Sequence, residues 1–388
     1  MLNQASQLVT SLYIHVPFCA RKCDYCAFYS EVAEAFWVDR YVEALRREIQ
    51  LVSHQVRPRT VFFGGGTPSL LNLRQWERIL EATAALDLGG IREWTVECNP
   101  ASLTLDKARL LRSHGVNRVS LGVQSLNDDL LDRLGRVHSR ALVFRAFDLL
   151  RAAGFQDINL DLMFAIPGQS LAAWRETLAE AMALGSEHLS SYEVTYEEDT
   201  ALFAQLKAGQ CAVDEGLTCR MYEELLRAAA AGGLRQYEVS NFARHASGAP
   251  GDVPDHACQH NVNYWRGGSF YGLGPSATSY VRGIRTKNRA DTRLYCEELA
   301  ADRRVIESTE ELSPLGRAGE TAAFGLRMNA GWPFSLFRQI TGHDLRADWG
   351  ADMERLVECG WGRRDGERFQ LTDQGLRFAD AAAANFLR

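Results

Sequence analysis

The chain predicts an α/β protein: a parallel, partly closed sheet followed by a small, mainly helical module of winged-helix type. Apolar runs alternate with amphipathic stretches at roughly thirty-residue intervals, the spacing expected when each parallel strand pairing needs a crossover. The pattern then changes after about residue 200, and 388 residues allow a barrel of ~250 residues with an appendage. Residues 12–16 supply the first strand, and 61–63, 94–98, 118–122, 159–164 and 188–194 the next five. Helical patterns such as 36–52 and 171–184 lie between them, giving six βα units, a partial (β/α)6 barrel. Its strand C-termini should carry the site. Farther on, 214–231 reads as one long helix and the Gly/Pro/Asp-rich 246–255 as an exposed loop. A boundary near Thr309 precedes a helix over 314–328, a turn over 329–333, a helix over 345–359 and a strand over 369–371. The expected division is a barrel core over 1–210, a barrel extension over 211–308 and a C-terminal module over 309–388.

With 46% hydrophobic and 24% charged residues, the chain can fold around a large core. A net charge of −6 gives no general attraction to nucleic acid or anionic lipid, so nucleic acid is not an expected partner. Arg363, Arg364 and Arg368 are interspersed with Asp365 and Glu367 and read as a solvated face. No apolar run reaches the ~20 residues of a membrane helix, and the N-terminus lacks the features of a signal peptide. Cytoplasmic location is therefore expected, with peripheral membrane contact left open.

Nine cysteines, an odd number, do not read as a disulfide scaffold; only Cys19, Cys23 and Cys26 are close together. The scattered Cys98, Cys211, Cys219, Cys258, Cys296 and Cys359 read as small buried hydrophobes. Three thiolates on one loop after a strand suit a metal group, since thiolates are the soft ligands of iron–sulfur clusters. A structural zinc site would want a fourth ligand, for which His15 is the nearby candidate.

The CxxxCxxC spacing resembles that of the radical S-adenosylmethionine (radical SAM) superfamily. Membership implies that the three cysteines hold a 4Fe-4S cluster with one iron open to the cofactor's methionine moiety. It also implies one-electron cleavage of S-adenosylmethionine to a 5′-deoxyadenosyl radical. Gly64-Gly65-Gly66-Thr67-Pro68 follows the second strand, and polar residues embedded in apolar sequence mark later ones: Glu97, Gln124, Arg136 and Asp161. Considered singly, each could equally belong to a structural network in the barrel. Together they resemble the HemN-like branch, of the coproporphyrinogen dehydrogenase type. The resemblance implies S-adenosylmethionine contacts at Gly65, Gly66, Thr67, Glu97, Gln124, Arg136 and Asp161, with Tyr13 and Tyr25 at two further positions.

Within that branch, Cys258-Gln259-His260-Asn261-Val262-Asn263-Tyr264-Trp265 carries the HNxxYW signature of the haem-chaperone (HemW) group. The likeness runs in order from Tyr13 to about Tyr280. It implies haem or another tetrapyrrole as cargo, an acceptor haemoprotein, and a one-electron donor such as flavodoxin or ferredoxin. His260 is the candidate axial haem ligand, with Tyr264 and Trp265 against the porphyrin; Cys258 and His256 are alternatives. The dehydrogenase has a further cysteine where this chain has Phe28 and also a longer N-terminal extension, so efficient coproporphyrinogen III decarboxylation is not expected. A HemN-like methyltransferase using two S-adenosylmethionine molecules is the competing reading. The chain departs from the family where Thr278 replaces a frequent histidine and Ala165 a frequent glycine, two places where a tetrapyrrole would be expected to lie.

Because each thiolate is a direct ligand, Cys19→Ala, Cys23→Ala or Cys26→Ala should each abolish cluster assembly. Iron and acid-labile sulfide at wild-type levels in any one of them would refute the assignment.

Overall fold

The computed structural model describes residues 8–246 and 251–388, so residues 247–250 of the expected 246–255 loop lie outside the described residues. All six expected strands form: β1 (Val9–Val16), β2 (Val56–Gly65), β3 (Glu93–Cys98), β4 (Arg118–Gln124), β5 (Asp157–Phe164) and β6 (His188–Glu193). Helices α1 (Ala35–Val52), α2 (Leu73–Thr83), α3 (Leu105–Ser113), α4 (Arg140–Ala152) and α5 (Leu171–Ala183) fall between successive strands. Local chemistry starts several of them. Asn72 and Gln75 form a capping box at α2, and the hydroxyls of Thr104 and Ser170 accept from backbone N–H groups at α3 and α5. Helix α1 buries Tyr41, Leu45 and Ile49, spaced four apart on one face.

Downstream, the expected 214–231 helix forms as α6 (Glu215–Ala231), with Asp214 as its N-cap, accepting from Leu217 N. It leads into β7 (Leu234–Glu238) and β8 (Asn241–Arg244), then helix α7 (Gln259–Trp265) and β9 (Tyr271–Leu273). The sheet has nine strands in the order β9-β1-β2-β3-β4-β5-β6-β8-β7. From β9 to β6 neighbours are parallel; β8 runs antiparallel to β6 and forms a hairpin with β7. End strands β9 and β7 have one neighbour each, so the barrel is open. These added strands are only three to five residues long, and β7 and β8 are rich in polar residues, which is why apolar runs did not reveal them.

Strand residues alternate with period two. Val61 and Phe63, Trp94 and Val96, Val119 and Leu121, and Leu160 and Leu162 are buried in the core shared with the helices. Each such side chain is worth roughly 1.5–3 kcal/mol of hydrophobic stabilisation. The intervening residues face inward, and the register stacks them in layers. Tyr13 is level with Phe62, Phe62 with Thr95, Ser120 with Asn159 and Asn159 with His188. Nearer the C-terminal ends, His15 is level with Gly64, and Gly122 with Asp161.

A small antiparallel sheet, β10 (Thr278–Val281), β11 (Ile284–Asn288) and β12 (Ile306–Glu311), was not anticipated. It is tied to the barrel through Glu48 of α1, which is 1% exposed. Its carboxylate accepts from the Gly274 N–H (2.8 Å), the Tyr295 hydroxyl (2.8 Å) and Arg304 Nε (3.0 Å).

The C-terminal module has a separate core that includes Trp332, Phe337, Trp349, Phe369 and Phe386. Its first helix, α8 in the barrel extension aside (Thr292–Leu299), is α9 (Pro314–Gly325), three residues shorter than expected. The indole of Trp332 packs where a Cβ on Gly325 would stand, and its Nε1 donates to Ala322 O at 3.1 Å. The expected 345–359 helix is two, Leu345–Asp348 and Gly350–Glu358. Trp349 leaves helical geometry (φ −130°, ψ 24°) while its ring enters the core and Nε1 donates to Phe386 O at 3.0 Å. Strand Arg368–Leu371 lies between Trp332–Pro333 and Gly362–Arg364. Backbone bonds from Val239 N to Arg327 O (3.1 Å) and from Asn329 N to Tyr237 O (3.0 Å) join the module to the barrel's outermost hairpin.

The scattered cysteines differ from expectation: Cys98, Cys258 and Cys296 are buried, whereas Cys219 and Cys359 are exposed and Cys211 is half-buried. Small residues at helix and loop surfaces need not be enclosed.

Removing the Glu48 carboxylate leaves the buried donors facing it unpaired. Glu48→Ala should therefore cost about 3 kcal/mol, read as a lowered urea midpoint, with Glu48→Gln losing less. A midpoint unchanged in Glu48→Ala would contradict this account of the anchor.

Candidate functional site

The C-terminal ends of the parallel strands open into a cavity of about 1520 Å³. Cys19, Cys23 and Cys26 line its mouth, all half-buried. The loop that carries them is pinned to β2. Gly66 N donates to Val16 O (2.8 Å) and Thr67 N to Phe18 O (2.7 Å). A Cβ on Gly66 would come within 2.7 Å of Phe18 O, and one on Gly65, at φ +105°, within 2.4 Å of the His15 ring. Glycine here is a packing requirement.

Two of the thiols receive hydrogen bonds. Thr67 Oγ1 donates to Cys19 Sγ and Arg136 Nη1 to Cys23 Sγ, each at 3.5 Å. Burial pushes the Cys26 thiol up. Arg136 also donates to Gly122 O at 2.8 Å, and its Nε is buried with no partner. Among the described residues no three His, Cys, Asp or Glu side chains converge on a single ion. His15 is committed elsewhere: Nε2–H donates to Tyr29 O (2.9 Å) and Nδ1 accepts from the Tyr13 hydroxyl (3.1 Å). A mononuclear zinc site is thus disfavoured, and the donor set fits an iron–sulfur cluster: soft, open on one side and next to an unpartnered guanidinium N–H.

Deeper in the cavity, Glu97 Oε2 accepts from Gly65 N at 3.2 Å. Burial first, and Asp161 second, push the Glu97 carboxyl up to about 8. Asp161 is also raised by burial, though Ser120 Oγ (2.9 Å) and Asn159 Nδ2 (2.8 Å) donate to it. Gln124 lines the wall at φ +65°, an uncommon backbone state for a residue other than glycine, where the β4–β5 register slips. Two carboxyl groups and a guanidinium around one space can receive a zwitterion, the acids taking an ammonium or hydroxyls and the guanidinium a carboxylate.

The structure thus brings Tyr25, Gly65, Gly66, Thr67, Glu97, Gln124, Arg136 and Asp161 to one cavity with the three cysteines. Tyr13 is not on the cavity wall; it points into the lumen against His15 and Phe62. Ser120 and Asn159 were overlooked, although the alternation in Arg118-Val119-Ser120-Leu121-Gly122 already placed Ser120 on the lumen face. Tyr192 and the 376–381 segment of the C-terminal module, also on the wall, had no sequence signal.

The structure seats His260, the candidate haem ligand, in a packed corner away from the cysteine loop. Helix α7 lies at the opposite end of the barrel, beside Thr60 of β2 and Glu93, the first residue of β3. Five strand residues separate Thr60 from Gly65, about 16 Å at ~3.3 Å per residue. His260 is 1% exposed. Thr60 donates to Ser11, so His260 Nδ1–H donates to Thr60 (2.9 Å), and Nε2 accepts from the Tyr264 hydroxyl (2.7 Å). Burial lowers its pKa to about 3, leaving a neutral ring whose lone pair is occupied. The Glu93 carboxylate accepts from the N–H groups of Gln259 (2.8 Å) and His260 (2.9 Å) and from the Cys258 thiol (3.4 Å), so Cys258 is no freer. His256 Nδ1 is likewise paired with Asp157 at 3.0 Å. Trp265 faces the C-terminal module, with the Arg327 guanidinium 4.9 Å from its ring and Phe324 at 6.4 Å. Thr278 pairs with Lys287 in the small sheet, and Ala165 occupies a left-handed turn at φ +59°; neither lines the cavity. That φ explains why glycine suits the Ala165 position.

Three soft thiols above a carboxyl- and guanidinium-lined cavity, at the C-terminal mouth of an open parallel barrel, define a cluster-carrying barrel of the cofactor-binding class. The Radical SAM superfamily model matches residues 13–181 and the HemN C-terminal domain model residues 312–378. The chain belongs to the radical SAM superfamily, in its HemN-like branch, among relatives described as heme chaperone HemW. It is 33% identical over 383 residues to "Heme chaperone HemW" of Lactococcus lactis, covering 98% of both chains. To the Escherichia coli protein of that name it is 34% identical, covering 97% of this chain and 98% of the other. A Mus musculus relative, "Radical S-adenosyl methionine domain-containing protein 1, mitochondrial", is 36% identical, with 97% and 87% covered. The fold is that of E. coli coproporphyrinogen III oxidase (HemN), at TM-score 0.84 and 21% identity over 99% of this chain and 91% of that one.

The raised Glu97 carboxyl has a measurable consequence in cluster-free protein. Folded protein holds this proton up to about pH 8, the unfolded chain only to its ordinary 4.5. Between those values the folded state binds more protons, so the Glu97 contribution to stability is complete below 4.5 and is lost as pH rises through 8. Urea midpoints should show this decline over pH 5–8, and Glu97→Gln should flatten it; an identical slope in the variant would count against the assignment.

Proposed function

We propose that this protein is a haem chaperone of the radical SAM type, which binds a 4Fe-4S cluster, S-adenosylmethionine and haem and delivers the haem to an acceptor haemoprotein. What carries the reading is likeness along the whole chain, 98% covered, to relatives described by that activity. In this reading Cys19, Cys23 and Cys26 ligate the cluster, and Arg136 and Thr67 stabilise its sulfur ligands by donating to them. A cluster held by these three cysteines, and reduced by a one-electron donor such as flavodoxin or ferredoxin, would supply one-electron chemistry toward the sulfonium of S-adenosylmethionine.

The chain's own contribution is orientation and exclusion of water. Gly65 and Gly66 let the backbone approach the nucleotide's methionine end, while Glu97 and Asp161 take its amino and hydroxyl groups. Gln124 and Tyr25 fill the wall beside it, and Tyr13 supports that floor through His15. The barrel core over 1–210 serves cluster and nucleotide, and the 309–388 module forms part of the cavity wall. No helix among the described residues is long and apolar enough to cross a membrane, and we place the activity in the cytoplasm. Helix α7 acts as the barrel's floor and as the bearing on which the module rests, through Trp265 and Arg266, whose Nη1 donates to Gly331 O at 2.6 Å.

Anaerobically reconstituted protein should retain haem in a one-to-one ratio through gel filtration and pass it to an apo-haemoprotein acceptor. Protein free of haem that instead methylates a tetrapyrrole, or forms protoporphyrinogen, would replace this reading with an enzymatic one.

A further inference from the structure

At about 1520 Å³ the cavity exceeds the ~300–1,000 Å³ of an ordinary small-molecule site, so a nucleotide bound in its depth leaves room nearer the mouth. That mouth is rimmed by large apolar side chains that are open to solvent. Phe28 is 70% exposed, Phe378 48%, Val137 46% and Tyr192 41%, and all four line this one cavity. They come from the cysteine loop, the C-terminal module, the loop after β4 and the end of β6, so no local sequence pattern brings them together. Single exposed apolar residues are ordinary, but four converging on one opening mark a binding surface.

Charge adds direction. Arg21, on the cysteine loop, and Lys107, at the start of α3, line the same mouth, and neither forms an ion pair with a carboxylate among the described residues. The Lys107 ammonium donates to the carbonyls of Ser69 (2.8 Å) and Ser102 (3.0 Å). Of the acidic residues on the wall, Glu193 ends β6 and Glu197 follows it, three strands away from β3 in the sheet order, and Asp380, beside Phe378, is paired with Arg327 at 3.3 Å. A flat apolar ligand with carboxylates at one edge fits this distribution.

We propose that haem is held at this rim, with the porphyrin against Phe28 and Phe378 and its propionates toward Arg21 and Lys107. The placement rests on the haem-chaperone reading and replaces the HNxxYW histidine as the haem site. Aromatic rings against a porphyrin contribute by area and stacking, and two cations anchor the propionates without burying a charge unpaired.

Haem titration of the cluster-loaded protein, followed by absorbance and tryptophan quenching, tests the placement. Phe28→Ala with Phe378→Ala should raise the haem Kd about a hundred-fold, since each ring contributes on the order of one decade. Arg21→Glu should raise it several-fold, more at low salt than at high salt. All three side chains are exposed, so iron and sulfide should stay at wild-type values, and His260→Gln should keep the wild-type Kd; because Phe378 also stacks on Trp361 at 4.8 Å, Phe28→Ala alone, which should keep the wild-type thermal midpoint and still weaken haem binding, separates binding from folding. Wild-type affinity in the double variant, or a loss confined to His260→Gln, overturns the placement while the chaperone reading stands. A wild-type protein that binds no haem overturns both.

Discussion

The site depends on parallel register. Neighbouring parallel strands end at the same edge, so Gly65, Cys98 and Gln124, far apart in the chain, finish side by side. Period-two alternation then sends apolar side chains outward to the helices and polar ones into the lumen. A slip by one residue would turn Glu97 and Asp161 into the helix layer and Val96 and Leu160 into the cavity. Core and site are therefore specified together, and neither can change register without destroying the other.

Polar side chains inside a barrel must find partners, and here they find one another. Ser120 and Asn159 hold Asp161. His188 donates to Asn159 Oδ1 at 2.6 Å and accepts from the Tyr237 hydroxyl at 2.9 Å, the same hydroxyl that accepts from Cys258 N. One network thus runs from the cavity's carboxylate to the helix that closes the far end. His260 belongs to that closing layer. A histidine in a signature motif invites a catalytic or ligating role, but a ring with both nitrogens engaged and no access to solvent is a structural one.

The mouth is built differently. Its parts belong to four segments of the chain, and the C-terminal module reaches it because Arg327–Asn329 pair with the β7–β8 hairpin and Trp265 and Arg266 meet the module's first helix and Trp332. Arg327 stands at this junction, 3.6 Å from buried Glu238 and 3.3 Å from exposed Asp380. The inner cavity is thereby rigid, set by sheet hydrogen bonds, while its rim depends on how an added module docks. Holding a nucleotide deep and presenting a larger ligand outside calls for that division.

Sequence alone determined the six βα units, the cysteine loop and the cavity-facing Gly65, Glu97, Gln124, Arg136 and Asp161, because these depend on short-range periodicity and on motifs contiguous in the chain. It placed α6 and most of the C-terminal helices for the same reason. It did not reveal β7 to β12, most of them polar and all of them too short to carry an apolar run, nor the Trp349 break, which is set by where the indole packs. Nor did it say where in the barrel His260 would sit. Whether a polar side chain is a ligand or a satisfied core residue depends on what lies across from it, and for His260 that is Thr60, 200 positions away in the chain. Only the tertiary structure decided that, as it decided that Phe28 and Phe378 share one opening, since such contacts arise from long-range packing that local pattern does not encode.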